Sequence, residues 1–342
     1  HSRQKPRKFS TNSKSTGFGG TQVPPIFFRI SRQRGVMATV QKKRKYSGIE
    51  KKISHWGIVF VLPAILFFSI FSFYPILNAL FTSLFDKRIL SLAAPKFIGF
   101  GNYTYLFRSA SFWNSMRATI VFTLGTFVPL LIFSLILAVL ISSLKKGKGF
   151  FQMAYYAPAV LSSVVAAAIW MLVLDPRGIA NQWVNFLLNT PGIDHKWLAD
   201  GTMVQISTML VYFWKYIGYF TIIFISGIGA IPPVVYEAAI LDGVTRWQTF
   251  LYITLPLLRP TVVLVSILSM LQCLKTFSTQ YLFTQSGAPQ GPINVITLEI
   301  YTTGIIDQRI GRASAMSIIL FVIMLFFTWL QFKTSKSDEV SY

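Results

Sequence analysis

The chain has 342 residues, of which 53% are apolar and only 13% charged, with a mean hydropathy of +0.54. That is roughly half the charge of an ordinary soluble domain, and it excludes both a disordered chain and a soluble nucleic-acid fold for the body. The net charge of +21 looks at first like an invitation to a polyanion. Its distribution says otherwise, because residues 1–54 hold 14 Lys or Arg and one acid, Glu50, and so supply +13 of the total. The remaining 288 residues carry 18 bases and 10 acids. The sequence therefore predicts an all-α integral membrane protein behind a basic lead-in, and gives no reason to expect a nucleic-acid partner.

Residues 1–54 are expected to be a disordered cytoplasmic segment. The stretch 1–36 is basic and acid-free, and the first Met is Met37. Both a transit peptide and a non-native extension upstream of the true start fit that composition. The cluster Lys42, Lys43, Arg44, Lys45, Lys51 and Lys52 precedes the first apolar run, where positive charge sets topology.

About 20 apolar residues cross a bilayer core, and six stretches qualify: Trp56–Leu80, Thr119–Ser142, Phe150–Leu174, Met203–Ile228, Thr261–Phe283 and Ser314–Phe332. Pro63, Pro129 and Pro158 fall inside spans, where neighbouring helices satisfy the freed carbonyls. The transmembrane body is 55–333 and the tail 334–342. With the basic end inside, both termini are cytoplasmic. The other loops are neutral on this point, with seven bases inside and nine outside.

The inner loop 231–260 is the informative one. Pro232 and Pro233 suit a helix start, and Asp242-Gly243 a left-handed stop. Thr245-Arg-Trp-Gln248 is a capping-box pattern that starts a second helix, which Pro256 and Pro260 are expected to end. The product is a helix–turn–helix elbow with Tyr236, Ile240, Trp247, Phe250 and Leu251 as apolar knobs. A helix pair lying on lipid fits the amphipathicity equally well.

Two lysines stand inside spans, Lys215 in the fourth and Lys275 in the fifth. Buried charge in a membrane marks a pathway by default, although Lys215 could instead pair with a carbonyl or a partner subunit. Around Lys215 lie Tyr212, Trp214 and Tyr216. Ser269, Gln272, Thr276 and Gln280 follow helical spacing and form one polar stripe. Hydroxyls, amides and rings facing a cavity suit a sugar, while interhelical hydrogen bonding is the plainer use of the same residues. No phosphate loop is present, since KKGKG at 145–149 lacks the spacing, and His1, His55 and His195 form no metal pattern. The single Cys273 can form no internal disulfide.

Glu237-Ala238-Ala239, three residues, Gly243, nine residues and Ile253-Thr-Leu255-Pro256 resemble the EAA loop of permease subunits of binding-protein-dependent ABC importers. Asp242, Trp247 and Phe250 fit the carbohydrate-importer form. The resemblance runs over about 55–332 and takes in FIGFGNYTYLF at 97–107, YYAPAVLSSVVAAAIW at 155–170, GIANQWVNFLL at 178–188, Phe213-Trp214-Lys215 and Lys275-Thr-Phe277. The section from Gly178 to Trp197 looks like the maltose/glycerol-phosphate-permease type of subunit more than its usual partner, and SGAPQGP at 286–292 stands in place of a family-typical Gly-Gly-Pro. The resemblance implies a type I importer permease fold of six transmembrane helices in the bacterial inner membrane, with 233–256 docked in a groove of an ATP-hydrolysing subunit. The implied partners are a second homologous permease, two ATPase subunits carrying ATP and Mg, an extracytoplasmic solute-binding protein, and membrane lipid. No cofactor is expected on this chain, nor any enzyme activity. The rival from another class is a self-sufficient secondary transporter or channel, which predicts inverted repeats with broken helices; no internal symmetry supports it.

Overall fold

The computed structural model describes residues 48–91 and 93–335. The basic lead-in through residue 47 and the tail from 336 lie outside the described residues. The chain divides into two compact units between Pro63 and Ala64, and each is taken by itself. The first contributes the opening of helix α1 (Gly48–Phe68), which carries Pro63.

In the second unit, α1 runs out through a π-helical turn, Ser69–Phe73, into α2 (Tyr74–Thr82). A proline ring collides with the carbonyl four residues back. The wide turn directly before Pro75 relieves that collision at Phe71 and keeps the span intact. A two-stranded hairpin follows, β1 (Phe85–Asp86) against β2 (Lys96–Phe97), with Asp86 opposite Lys96. Helix α3 (Gly101–Arg108) then supplies Asn102, whose buried amide donates to the Ser83 and Phe85 carbonyls at 2.7 and 3.0 Å. It thereby fastens the end of α2 to the hairpin.

The centre of the unit is the pair α4 (Ala110–Ser143) and α8 (Gly201–Gly229). Leu130 and Ala138 of α4 meet Phe220 and Phe224 of α8 in one buried cluster, joined by Leu258 and Val265. Between them in sequence come α5 (Lys148–Val160), α6 (Ser163–Val173) and the amphipathic α7 (Ile179–Leu188). After α8 the elbow comprises α9 (Pro233–Leu241), α10 (Arg246–Gln248), a π-helical turn at Thr249–Thr254 and α11 (Leu255–Leu257). Then come α12 (Arg259–Leu274), α13 (Ser278–Gln285), α14 (Gln290–Ile293), α15 (Ile296–Tyr301) with a π-helical turn to Ile306, and α16 (Ile310–Ser335).

Among the described residues, five helical stretches are long and apolar enough to cross a membrane: Gly57–Thr82, Ala110–Ser143, Gly201–Gly229, Arg259–Gln285 and Ile310–Thr334. The pair α5 and α6 makes a sixth if counted as one span. The third predicted span is therefore not a continuous helix. It bends by 98° between Val160 and Ser163. Pro158 weakens the end of α5, and the Ser162 hydroxyl accepts from the Val165 amide at 3.2 Å to start α6 afresh. Large apolar side chains such as Phe81, Leu124, Ile132, Leu140 and Phe326 are exposed on the spans. Such faces are tolerable where lipid or another membrane chain covers them.

Candidate functional site

Two regions gather the residues singled out from the sequence. The first is the elbow. Helix α9 begins with Pro233 in its first turn and ends at Asp242. Gly243 follows at φ +71°, its N–H donating to the Ile240 carbonyl at 3.1 Å, while the Val244 N–H donates to Ala239 at 3.1 Å. This paired pattern is a Schellman stop, and it needs a residue that accepts a left-handed backbone. Thr245 then caps the next helix. Its hydroxyl accepts from the Gln248 amide at 3.3 Å, and the Gln248 side-chain oxygen accepts from the Thr245 amide at 3.0 Å. The Tyr236 hydroxyl lies 3.4 Å from that of Thr254, linking the two arms.

The second arm ends at Leu258, between Pro256 and Pro260 and before α12, as the two prolines predict, although Pro256 itself is carried inside it. The π-helical turn at Thr249–Thr254 precedes it as the earlier one precedes Pro75, and the backbone stays helical through Leu257. Ala239 is buried against the body of the elbow, whereas Glu237, Ala238 and Asp242 are exposed. Leu241 is 87% exposed, Ile240 75% and Trp247 67%, and Trp247 lies 5.7 Å from the half-buried ring of Phe250. Leu255 is half-buried. The turn between the arms is fixed by the Gly243 stop and the Thr245 capping box, and Ile240, Leu241 and Trp247 stand exposed beside it among the described residues.

The second region is a cavity of about 270 Å³ between α6, α8 and the α12–α13 break. That is near the lower end of the roughly 300–1,000 Å³ typical of small-molecule sites. Tyr212, Lys215, Tyr216, Gln272, Lys275 and Thr276 line it, together with Ser163, Val211, Phe277, Ser278 and Thr279. No acidic side chain is among them. Trp214 points elsewhere, its ring set edge-on to Trp170 at 5.7 Å. Ser269 is fully buried and donates to Val265 of its own helix at 2.7 Å. Gln280 is also fully buried. It accepts from the Thr276 hydroxyl at 3.0 Å, and its amide nitrogen has no partner among the described residues.

The single polar stripe expected at 269, 272, 276 and 280 does not exist as such, because α12 ends at Leu274 and α13 begins at Ser278. Lys275, Thr276 and Phe277 form the interruption and turn their side chains to the cavity. Lys215, buried at mid-helix, donates from Nζ to the Leu161 carbonyl, which the bend of the third span has freed. Thr297 donates to the Thr276 carbonyl and satisfies the second break in the same way. Beside this wall, Phe277 stacks on Tyr281 with centroids 5.3 Å apart, and both rings meet Tyr301 at 5.3 Å.

Sequence reading missed Ser163 and the aromatic trio. Ser162-Ser163 after Pro158 was the available signal, since a serine pair inside an apolar run is a restart cap as readily as a polar spot in a span. Nothing in the sequence places Tyr301, 20 residues downstream, against Tyr281. Among the described residues no cluster of three or more His, Cys, Asp or Glu could hold a metal.

An exposed elbow between two membrane spans, and a cavity walled by interrupted helices farther along those spans, fit a membrane transport subunit. Residues 98–335 match the family model of the binding-protein-dependent transport system inner membrane component, and the chain belongs to that family. It is 29% identical over 286 residues to the lactose transport system permease protein LacF of Rhizobium radiobacter, covering 83% of this chain and 95% of that one. The sn-glycerol-3-phosphate transport system permease protein UgpA of Agrobacterium fabrum is 28% identical, covering 80% and 92%. The probable ABC transporter permease protein YesP of Bacillus subtilis is 30% identical, covering 82% and 90%. In fold, the chain resembles a subunit of a bacterial alginate ABC transporter solved with a pentasaccharide-bound periplasmic protein. There the TM-score is 0.72 at 22% identity, over 83% of this chain and 95% of that one. The broken third and fifth spans are the feature a secondary transporter also predicts; family membership decides between the two.

Proposed function

We propose that this permease is one of two homologous membrane subunits of an ATP-driven importer for a carbohydrate or polyol glycoside. A solute-binding protein delivers the cargo from outside. Two ATPase subunits, carrying ATP and Mg, bind on the cytoplasmic side, and one of them takes the elbow of this chain into a groove. Its closure on ATP moves the elbow as a rigid lever, so that access to the pathway alternates across the inner membrane. Both termini are cytoplasmic, and this chain holds neither nucleotide nor metal.

The observation that carries the reading is the elbow itself. A capped helix pair transmits a rigid-body displacement that a flexible loop would absorb, and among the described residues Ile240, Leu241 and Trp247 stand exposed on it. Glu237 is exposed and available to a basic residue on the partner. The cavity supports the cargo class, because Tyr212, Tyr216, Gln272, Thr276 and Ser278 combine ring faces with hydroxyl and amide groups. Rings stack on the C–H faces of a pyranose while the polar atoms meet its hydroxyls. The named relatives that carry lactose or glycerol phosphate point the same way.

The test is reconstitution in liposomes with and without a second permease, the ATPase subunits and a solute-binding protein. Uptake of a panel of labelled oligosaccharides should require all components and ATP. Uptake by this chain alone, driven by an ion gradient, would overturn the proposal in favour of a secondary transporter.

A further inference from the structure

The bend in the third span separates two helices that are held differently. Helix α5 is gripped by α8 at two points one turn apart. Lys215 donates to the Leu161 carbonyl at the bend, and Gly218 lies so close to α5 that a Cβ there would come within 1.9 Å of the Tyr155 carbonyl oxygen. Residues i and i+3 share one face of a helix, so both grips belong to the same side of α8. Helix α6, beyond the bend, meets α8 through ring and aliphatic contacts, Trp170 against Trp214 and Ala167 near Val211, and also packs on Phe283 of α13. Apolar contacts of that kind slide without breaking a hydrogen bond.

Helix α8 ends at Gly229 and passes within four residues into α9 of the elbow. The Lys215 grip and Ser163, the first residue of α6, both line the cavity. We infer that Lys215 is a positioning residue for transport: it fastens α5 to α8, so that displacement of the elbow reaches the cavity as a change of angle at the 161–162 bend. This inference rests on the elbow being the seat of the ATPase. It assigns Lys215 to transmission and makes the carbonyl of Leu161, not the cargo, its partner.

The experiment uses the assembled importer in membranes, with Cys273→Ala removing the native thiol and Ser163→Cys placing a reporter at the cavity side of the bend. Labelling by a hydrophilic maleimide is followed with and without vanadate and ATP, which trap closed ATPase subunits. With Lys215 present, trapping should change the labelling rate roughly tenfold, the ordinary scale of coupling between distant sites. Lys215→Met should remove that dependence while the complex still assembles and hydrolyses ATP. Lys215→Arg, whose guanidinium also donates to a carbonyl, should restore it. Should the Met variant fail to reach the membrane, Lys215→Leu, which likewise has no donor, against Lys215→Arg supplies the same contrast. An unchanged response in Met or Leu overturns the inference. A response already missing in the Lys215 chain overturns the elbow reading, and this inference with it.

Discussion

The elbow and the cavity are made by opposite means. The elbow is assembled from neighbours in sequence: Gly243 donates three residues back, Val244 five back, and Thr245 exchanges bonds with Gln248. The cavity is assembled from residues far apart, with Lys215 reaching Leu161 across 54 positions and Thr297 reaching Thr276 across 21. In the first region, backbone groups are satisfied locally and apolar side chains such as Ile240, Leu241 and Trp247 stand exposed. In the second, helices are broken, and distant side chains satisfy the carbonyls that the breaks release, as a membrane interior requires. Damage should therefore show differently: as a lost partner at the elbow, and as a lost fold around the cavity.

The largest effect should come from Gly218→Val. Any Cβ there meets the Tyr155 carbonyl oxygen at 1.9 Å and its carbon at 2.3 Å, and backbone cannot swing aside as a side chain can. Overpacking typically costs about 1–3 kcal/mol and more where nothing yields, so the yield and melting midpoint of the purified chain should fall clearly. A stable Gly218→Val chain would mean that α5 and α8 do not pack as described. Trp247→Ala comes next. Its ring is largely exposed in this chain, so melting should not change, while a tryptophan anchor in an interface is worth roughly 2 kcal/mol or more. Co-purification with the ATPase subunit should weaken by more than tenfold. Gly243→Val follows: the site is open, with nothing within 4 Å, but the backbone is left-handed. The strain of about 1–2 kcal/mol for a side chain in that region should reduce ATP-driven uptake about tenfold while membrane insertion is normal. Gly243→Pro should do more, since it also removes the N–H that donates to Ile240.

The same division explains what could be read from sequence. Six apolar runs mark the spans because lipid imposes one rule on every residue of a crossing helix. Pro233, Gly243 and the Thr245–Gln248 pair mark the elbow because their chemistry acts over three or four residues. The 98° bend at Val160–Ser163 was not legible. Pro158 alone is compatible with a straight membrane helix, and what stabilises the bend is Lys215, a residue that reads in sequence as a pathway charge. The polar stripe at 269–280 failed for the same reason, since regular spacing predicts one face only if the helix is unbroken. The prolines do mark the end of the second arm, at Leu258 between Pro256 and Pro260, but a π-helical turn, set by backbone register and not by any residue type, carries Pro256 inside it.

Thr245→Ala is the subtlest way to test the division. Removing the hydroxyl deletes one half of the capping box and leaves the Gln248 side chain accepting from the backbone amide of residue 245. Loss of an N-cap costs typically about 1 kcal/mol. The second arm, however, is also held through Tyr236 and Thr254 and by its continuation toward α12. The membrane body makes no use of the Thr245 hydroxyl, so the melting midpoint should stay within error of the parent. ATP-driven uptake should fall severalfold, because an arm frayed at its first turn spends part of its time in a shape that does not fit the partner. Thr245→Ser keeps the acceptor and should restore uptake to near the parent level. If Thr245→Ala instead lowers the melting midpoint without touching uptake, the elbow is part of the fold's foundation and not a lever, and its difference from the cavity disappears.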